Sequence, residues 1–392
     1  MANNVIINYS TSGLGTPAIG QDFISGLIFY SATTVPSGFS ANTVQEIFSV
    51  AEAEALGITL ATQVSASTYT DVMHYHIAEY FRSNPTGDLW VNISASASSA
   101  SSYSEIVTLQ NAANGIIRQI GIYEQIPFLS ANLASIQTQI NTNITNNKPL
   151  EVIYQPDFSS VSNLSTLTDL TSLNAPNVSV TIGQDGAAVG KALYGVIGKS
   201  IGCVGLTLGA VSSALVSTSI AWVQNFNMDS VEMDTLAMAN GSLLTSLSDG
   251  LINAIDAKSY IFLKKFIGIF GSYFNSDLTS IVGTSDYSSI HLNRTIHKVA
   301  RNVRAQVLPS IASPVYFNAD GSIALYSIGF FESECNVALA NMVSAGEISQ
   351  FKTIINAKQN VLATKTLNIG VQIIPVGVAN IINLNIGFVL SI

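Results

Sequence analysis

The sequence predicts an α/β fold, a parallel or mixed sheet with helices on its faces. Short apolar runs alternate with helix-period segments four times in the first half of the chain. One long amphipathic helix dominates the second half, and both ends carry period-two segments that stand apart from this body.

The repeats come in order. "YTDVMHYHIAEYFRS" (69–83) reads as a helix and is followed by the strand "DLWVNIS" (88–94). "SEIVTLQNAANG" (104–115) leads to "IRQIGIY" (117–123), and a polar helix around 128–146 leads to "LEVIYQP" (150–156). A helical stretch at 160–173 precedes "NVSVTIGQD" (177–185). Residues 188–201, 204–221 and 235–257 then read as helices, and "YIFLKKFIGIFGSYF" (260–274) as one or two buried strands.

"IHLNRTIHKVARNVRAQVL" (290–308) is the clearest amphipathic helix. Ile296, Val299, Ala300, Val303 and Val307 form one stripe, and Arg294, His297, Lys298, Arg301 and Arg304 the other. Pro309 ends it. Ser344 and Glu347 have the spacing of a capping box, so 344–360 reads as a last helix. "TLNIGVQII" (366–374) alternates as a strand, and Pro375 and Gly377 mark a turn. In "NIINLNIGFVLSI" (380–392), Ile382, Leu384, Ile386, Phe388, Leu390 and Ile392 alternate with other residues, the pattern of a strand roughly 36 Å long.

Composition narrows the function. The 392 residues carry 15 Lys+Arg against 24 Asp+Glu, a formal charge of -9. That balance argues against a general nucleic-acid binder, which needs a basic footprint. Only 10% of residues are charged while 48% are hydrophobic. A free monomer needs more surface charge, so either a membrane or further copies of the chain should cover much of the surface. Cys203 and Cys335 are too few for a metal cage or a disulfide framework and read as buried thiols. The start, "MANNVIINYSTSG", has neither the basic nor the apolar region of a secretory signal, so none is expected.

The motifs that could carry chemistry are weak. Residues 200–223 are uncharged and long enough to span a bilayer, with glycine pairs Gly198/Gly202 and Gly205/Gly209. They also hold seven Ser/Thr, which favours a helix of small residues packed inside a protein. "GKSIG" (198–202) matches a nucleophile elbow at Ser200, with Asp286 and His291 or His297 as formal partners, but the required preceding strand is missing. No phosphate loop is formed: Leu193 stands five positions before Gly198, and Ala192 follows Gly190-Lys191. His74 and His76 are two apart on a helix and do not share a face. No catalytic residue, cofactor or metal is therefore expected. By contrast, Arg294, Lys298, Arg301 and Arg304, four of the 15 positive charges, lie on one helical face, which predicts a docking face for an acidic partner.

Four stretches together resemble the sheath protein of contractile phage tails and related contractile injection systems: "HYHIAEYFRSNPTGDLWVNIS" (74–94), "SIAWVQNFNM" (219–228), 264–311, and "ATKTLNIGVQIIPVGVANIINLNIGF" (363–388). The resemblance is to the compact kind, without large decorating domains. It implies a non-enzymatic, self-assembling subunit with a sheath-type α/β core, stacked in rings or a helix around an inner tail tube protein. Baseplate and tail terminator proteins would be its other partners. It also implies a place in a virion tail, or in bacterial cytoplasm for an injection system, without stable membrane insertion. On contraction the subunits re-pack while their terminal arms, which add strands to neighbours, keep hold and the tube is driven forward.

The chain then divides into an N-terminal arm (1–20), a core in two parts (21–285 and 286–365) and a C-terminal β arm (366–392). Val5 and Ile7 in the first arm, and Ile382, Leu384, Ile386, Phe388 and Leu390 in the last, are the expected subunit-linking residues. Burying six apolar side chains gives about 1.5–3 kcal/mol each, while ordering eleven residues costs about 1–2 kcal/mol each. A single arm is thus near balance, and the lattice would hold by avidity.

Overall fold

A computed structural model describes residues 21–30, 35–40, 42–60, 69–94 and 102–383. A seven-stranded sheet lies at its centre. Its strands are β1 (Ile24–Phe29), β2 (Val44–Ile47), β3 (Asp88–Ile93), β4 (Gln119–Pro127), β5 (Glu151–Asp157), β6 (Val178–Thr181) and, past a short β7 and β8, β9 (Tyr260–Ile261). The spatial order is β2-β3-β1-β4-β5-β6-β9. All neighbours run parallel except the edge strand β2, which is antiparallel to β3. Each long inner strand holds a consecutive apolar stretch that the covered sheet buries on both faces, such as Val152-Ile153-Tyr154 in β5, with polar residues such as Glu151 and Gln155 buried beside it.

Alternation along β1 shows the layering. Leu27 and Phe29 point into a core with α2 (Tyr69–Ser83), α5 (Val189–Ile197) and α6 (Val204–Ser213), with α1 (Val50–Ala55) at its edge. Ile28 and Tyr30 point the other way, against α3 (Glu105–Ala112), α4 (Ser130–Thr145) and α7 (Asp249–Ala257). β7 (Gly183–Asp185) and β8 (Leu236–Met238) pair as a ribbon, as do β10 (Leu263–Lys264) and β11 (Tyr273–Phe274).

The second part of the chain holds α8 (Ile290–Val307), α9 (Leu325–Ser344), β12 (Ile348–Ile355), the single turn α10 (Val361–Thr364) and β13 (Ile369–Pro375). β12 and β13 form an antiparallel two-stranded sheet of their own. Val299, Leu339, Met342 and Ile348 join α8, α9 and this sheet in a separate small core. Because β12 pairs with β13, the expected boundary at 365/366 falls inside one sheet.

Several expected elements differ. Residues 160–173 form two 3-10 turns, Leu164–Thr166 and Leu170–Ser172, because Asn163 and Asp169 each capture the backbone N–H two residues on. The helix expected over 204–221 stops at Ser213, where the hydroxyls of Ser212 and Ser213 donate back to Gly209 O and Ala210 O. The stretch 235–257 opens as β8 and turns at Asn240-Gly241, with Gly241 at φ 84°, before the helix starts at Asp249. In 260–274, only the ends are strands, and Ile267, Ile269 and Phe270 between them are exposed. Most tellingly, 344–360 is not a helix. Gly346, at φ 71°, ends α9, and β12 follows at once.

Candidate functional site

The basic face of α8 is turned inward. Arg294 is 4% exposed and donates to Ala214 O and to the backbone carbonyl of Asp22. Arg301 Nη2 donates to Asp22 Oδ1 at 2.7 Å, and Lys298 bridges Asp22 Oδ2 and Glu347 Oε1, each at 2.5 Å. His297 Nδ1 lies 3.2 Å from Glu151 Oε1. The acidic surface these residues meet thus belongs to the same chain. The expectation of a face free for a separate acidic partner is corrected for Arg294, Lys298 and Arg301; Arg304 alone of the four is exposed. The physical reason is the low charge content: few carboxylates are available, and α8 is buried on both sides, by the sheet body and by α9.

Burial governs the ionisation of this cluster. It pushes against the charged form of Asp22, but Lys298 and Arg301, with Arg294 behind them, hold that carboxyl below its ordinary range. Burial pushes Glu151 up to about 8, against the hydrogen bonds from Asn177 and Asn293. Burial, then the charges of Arg301 and Arg118, pull His297 down to about 3. Burial thus disfavours the charged form of both Glu151 and His297, while Arg294 pulls Glu151 the other way.

The weak motifs have structural employment. Ser200 is fully buried; its Oγ donates to Ala239 O at 2.6 Å and accepts from Phe158 N–H at 2.8 Å. The formal triad partners are elsewhere engaged: His291 with Asp277 at 2.5 Å, His297 with Glu151, while Asp286 is exposed. Lys199 pairs with Asp157 at 2.9 Å. The N-terminus of α5, where a phosphate would sit, is filled by Asp185, which accepts from Ala187, Ala188 and Gly190 N–H. His74 pairs with Glu54, while His76 lies in the core against the rings of Phe29, Tyr75 and Tyr123. Cys203 and Cys335 are buried and free.

The glycine pair of the uncharged segment also has a use inside the fold. Gly205 and Gly209 of α6 lie against the backbone of α2, at His76 and Tyr80. α6 is ten residues long, and among the described residues no helix is long and apolar enough to cross a membrane.

A doubly wound sheet takes ligands at the carboxyl ends of its strands where the order reverses, here beside β1 and β4. Tyrosines fill that position. Tyr69 donates to Tyr30 O, Tyr30 to Glu105 at 2.8 Å, and Tyr103 and Tyr154 both to Glu124, at 2.9 and 2.6 Å.

What remains open is the C-terminal sheet. Within the described residues β12 has β13 as its one strand neighbour, so the outer edges of both are unpaired. Beyond β13 the chain is apolar and exposed, with Val378 43%, Ile381 79% and Ile382 76% exposed. Ile382 is not in a strand. The other expected linking residues, Val5, Ile7, Leu384, Ile386, Phe388 and Leu390, lie outside the described residues. Sequence reading missed Asp22 and Glu347 as partners of α8; the only signal was the scarcity of carboxylates able to balance so basic a helix.

Comparison with known proteins bears on this arrangement. A family model described as DUF2586, N-terminal domain, matches residues 2–277, and another, DUF2586, C-terminal domain, matches residues 286–392. No curated protein matches by sequence. A chain of the anti-feeding prophage (AFP) baseplate, 6-fold symmetrised, is similar in structure with a TM-score of 0.62 at 11% identity, covering 100% of this chain and 99% of that one. A chain of the PVC sheath complex of an extracellular contractile injection system, in the contracted state, gives 0.60 at 12% identity, with the same coverage. The sheath tail protein Lin1278 from Listeria innocua gives 0.50 at 9% identity, covering 92% of this chain and 96% of that one. The α/β architecture is the fold of contractile sheath proteins.

Proposed function

The chain belongs to the DUF2586 family, and we propose that it is the structural subunit of a contractile sheath, assembling in many copies around an inner tube and re-packing to drive that tube through a target envelope. The observation that carries this reading is the two-stranded β12–β13 sheet. One face of this sheet packs on α8 and α9, but its outer edges are unpaired among the described residues, and an open edge followed by exposed apolar chain suits completion by strands from other copies. In this reading 380–392 and the N-terminal segment around Val5 and Ile7 supply those strands. The likeness in fold to sheath proteins over the whole chain supports it.

The subunit performs no catalysis and takes no cofactor; contraction draws on lattice packing. The engagement of Ser200 and the filling of the α5 N-terminus by Asp185 speak against hydrolase and nucleotide chemistry at those places. An inner tube, a baseplate and a tail terminator would be its partners, in a virion tail or in bacterial cytoplasm. Electron microscopy of the purified chain tests the reading: hollow tubes or rings support it, and a dispersed monomer at high concentration refutes it.

A further inference from the structure

Three guanidinium groups face one small cleft where α8 crosses the amino ends of β1 and β4. Its lining is Asp22, Arg118, Val216, Arg294, His297 and Arg301, and its volume is about 10 Å³, room for a single water-sized occupant. The charges around it do not balance. Both oxygens of Asp22 are taken, Oδ1 by Arg301 and Oδ2 by Lys298. Lys298 also engages Glu347. Among the described residues the hydrogen bonds of Arg118 and Arg294 go to neutral acceptors: Gly115 O, Ile117 O and Gln21 Oε1 for the first, Ala214 O and the backbone carbonyl of Asp22 for the second.

Both side chains are more than nine-tenths buried, at 8% and 4% exposure, and the Nε of each is a buried donor with no hydrogen-bond partner among the described residues. Burial, together with the like charge of Arg301, brings Arg118 down to about 9; Arg294 falls to about 10. Both stay cationic at neutral pH. Asp22 opposes the charge of both, and Glu151 and Glu347 that of Arg294, but four cations (Arg118, Arg294, Lys298 and Arg301) share these few carboxylates, and buried cations in excess of their counter-charges are costly.

We infer that the cleft binds one small inorganic anion of chloride size, held by Arg118, Arg294 and Arg301. Such an ion would tie the start of β1 and β4 to α8, joining the segments on either side of residue 285. It would make the docking of α8 on the sheet dependent on the anion present, beyond ordinary screening by salt.

Thermal unfolding of the full chain at fixed ionic strength, with potassium chloride exchanged stepwise for potassium gluconate, tests this. Chloride should raise Tm in a saturable way, and Arg118→Gln should abolish that difference between the salts. Equal Tm in both salts, or an unchanged chloride effect in the variant, would overturn the inference. Should Arg118→Gln fail to fold, crystals of the unaltered protein soaked in bromide give an independent answer. An anomalous peak between the three guanidinium groups supports the site, and its absence at saturating bromide contradicts it.

Discussion

Replacing Gly205 with alanine separates packing inside the fold from every other use of the small-residue segment. A Cβ built on Gly205 would lie 2.1 Å from His76 O and 2.7 Å from His76 C and Cα. Those atoms are backbone of α2 and cannot turn aside, so the two helices must part by about 1.4 Å to restore ordinary contact near 3.5 Å. Overpacking typically costs about 1–3 kcal/mol, and a clash with backbone belongs at the upper end or above. Alanine regains about 1 kcal/mol of helix propensity over glycine. The net effect is destabilisation by about 2 kcal/mol or more, read in urea unfolding as a lower midpoint at unchanged slope. Gly195, exposed in α5 with nothing within 4 Å of its missing Cβ, is the control. Gly195→Ala should be neutral or stabilise by up to about 1 kcal/mol. A Gly205→Ala protein as stable as the parent would refute the close α2–α6 contact and reopen an external role for the segment.

Other outcomes follow from the same geometry. Ser200→Ala strands the Phe158 N–H in the core and should cost about 1–3 kcal/mol by denaturant unfolding; an esterase activity lost in this variant would contradict the structural role. Lys199→Ala should change stability by less than about 1 kcal/mol, since its pair with Asp157 is partly exposed, and should leave assembly intact; ATP hydrolysis that disappears with it would contradict the account. Glu151 is raised from 4.5 to about 8, so the unfolded chain holds fewer protons there between those values. Its contribution should therefore fall as pH rises from 4.5 to 8, by at most about 1.4 kcal/mol per unit. The stability difference between the parent and Glu151→Gln should decline across that window, and a flat difference would mean that Glu151 is charged in the native protein.

The parts legible in the sequence are those where one periodicity holds over many residues. α2 coincides with the predicted 69–83, and β3, β4 and β5 fall on the expected runs, because each holds a consecutive apolar stretch (Leu89-Trp90-Val91, Ile122-Tyr123, Val152-Ile153-Tyr154) that a sheet covered on both faces packs. α9 went unread for the opposite reason: in "LYSIGFFESECNVALANMVS" apolar residues surround the helix, with Leu325 and Phe330 exposed and Phe331 and Leu339 buried. The misread β12 shows two local rules in conflict. Ser344 and Glu347 mimic a capping box, but Gly346 between them takes the left-handed conformation that ends a helix. The basic stripe of α8 was visible, and its destination was not. Asp22 and Arg301 lie 279 positions apart, and no spacing rule reaches across such a separation.

The central claim, that the chain's end completes sheets in other copies, is tested most directly by electron microscopy and sedimentation of the full chain beside a variant lacking 380–392. The account predicts tubes or rings from the full chain. From the variant it predicts a small species with native circular dichroism, because among the described residues those that build the sheet body and the α8–α9 core all precede residue 380. Tubes that form equally well without 380–392, or a shortened chain that no longer folds, would contradict it.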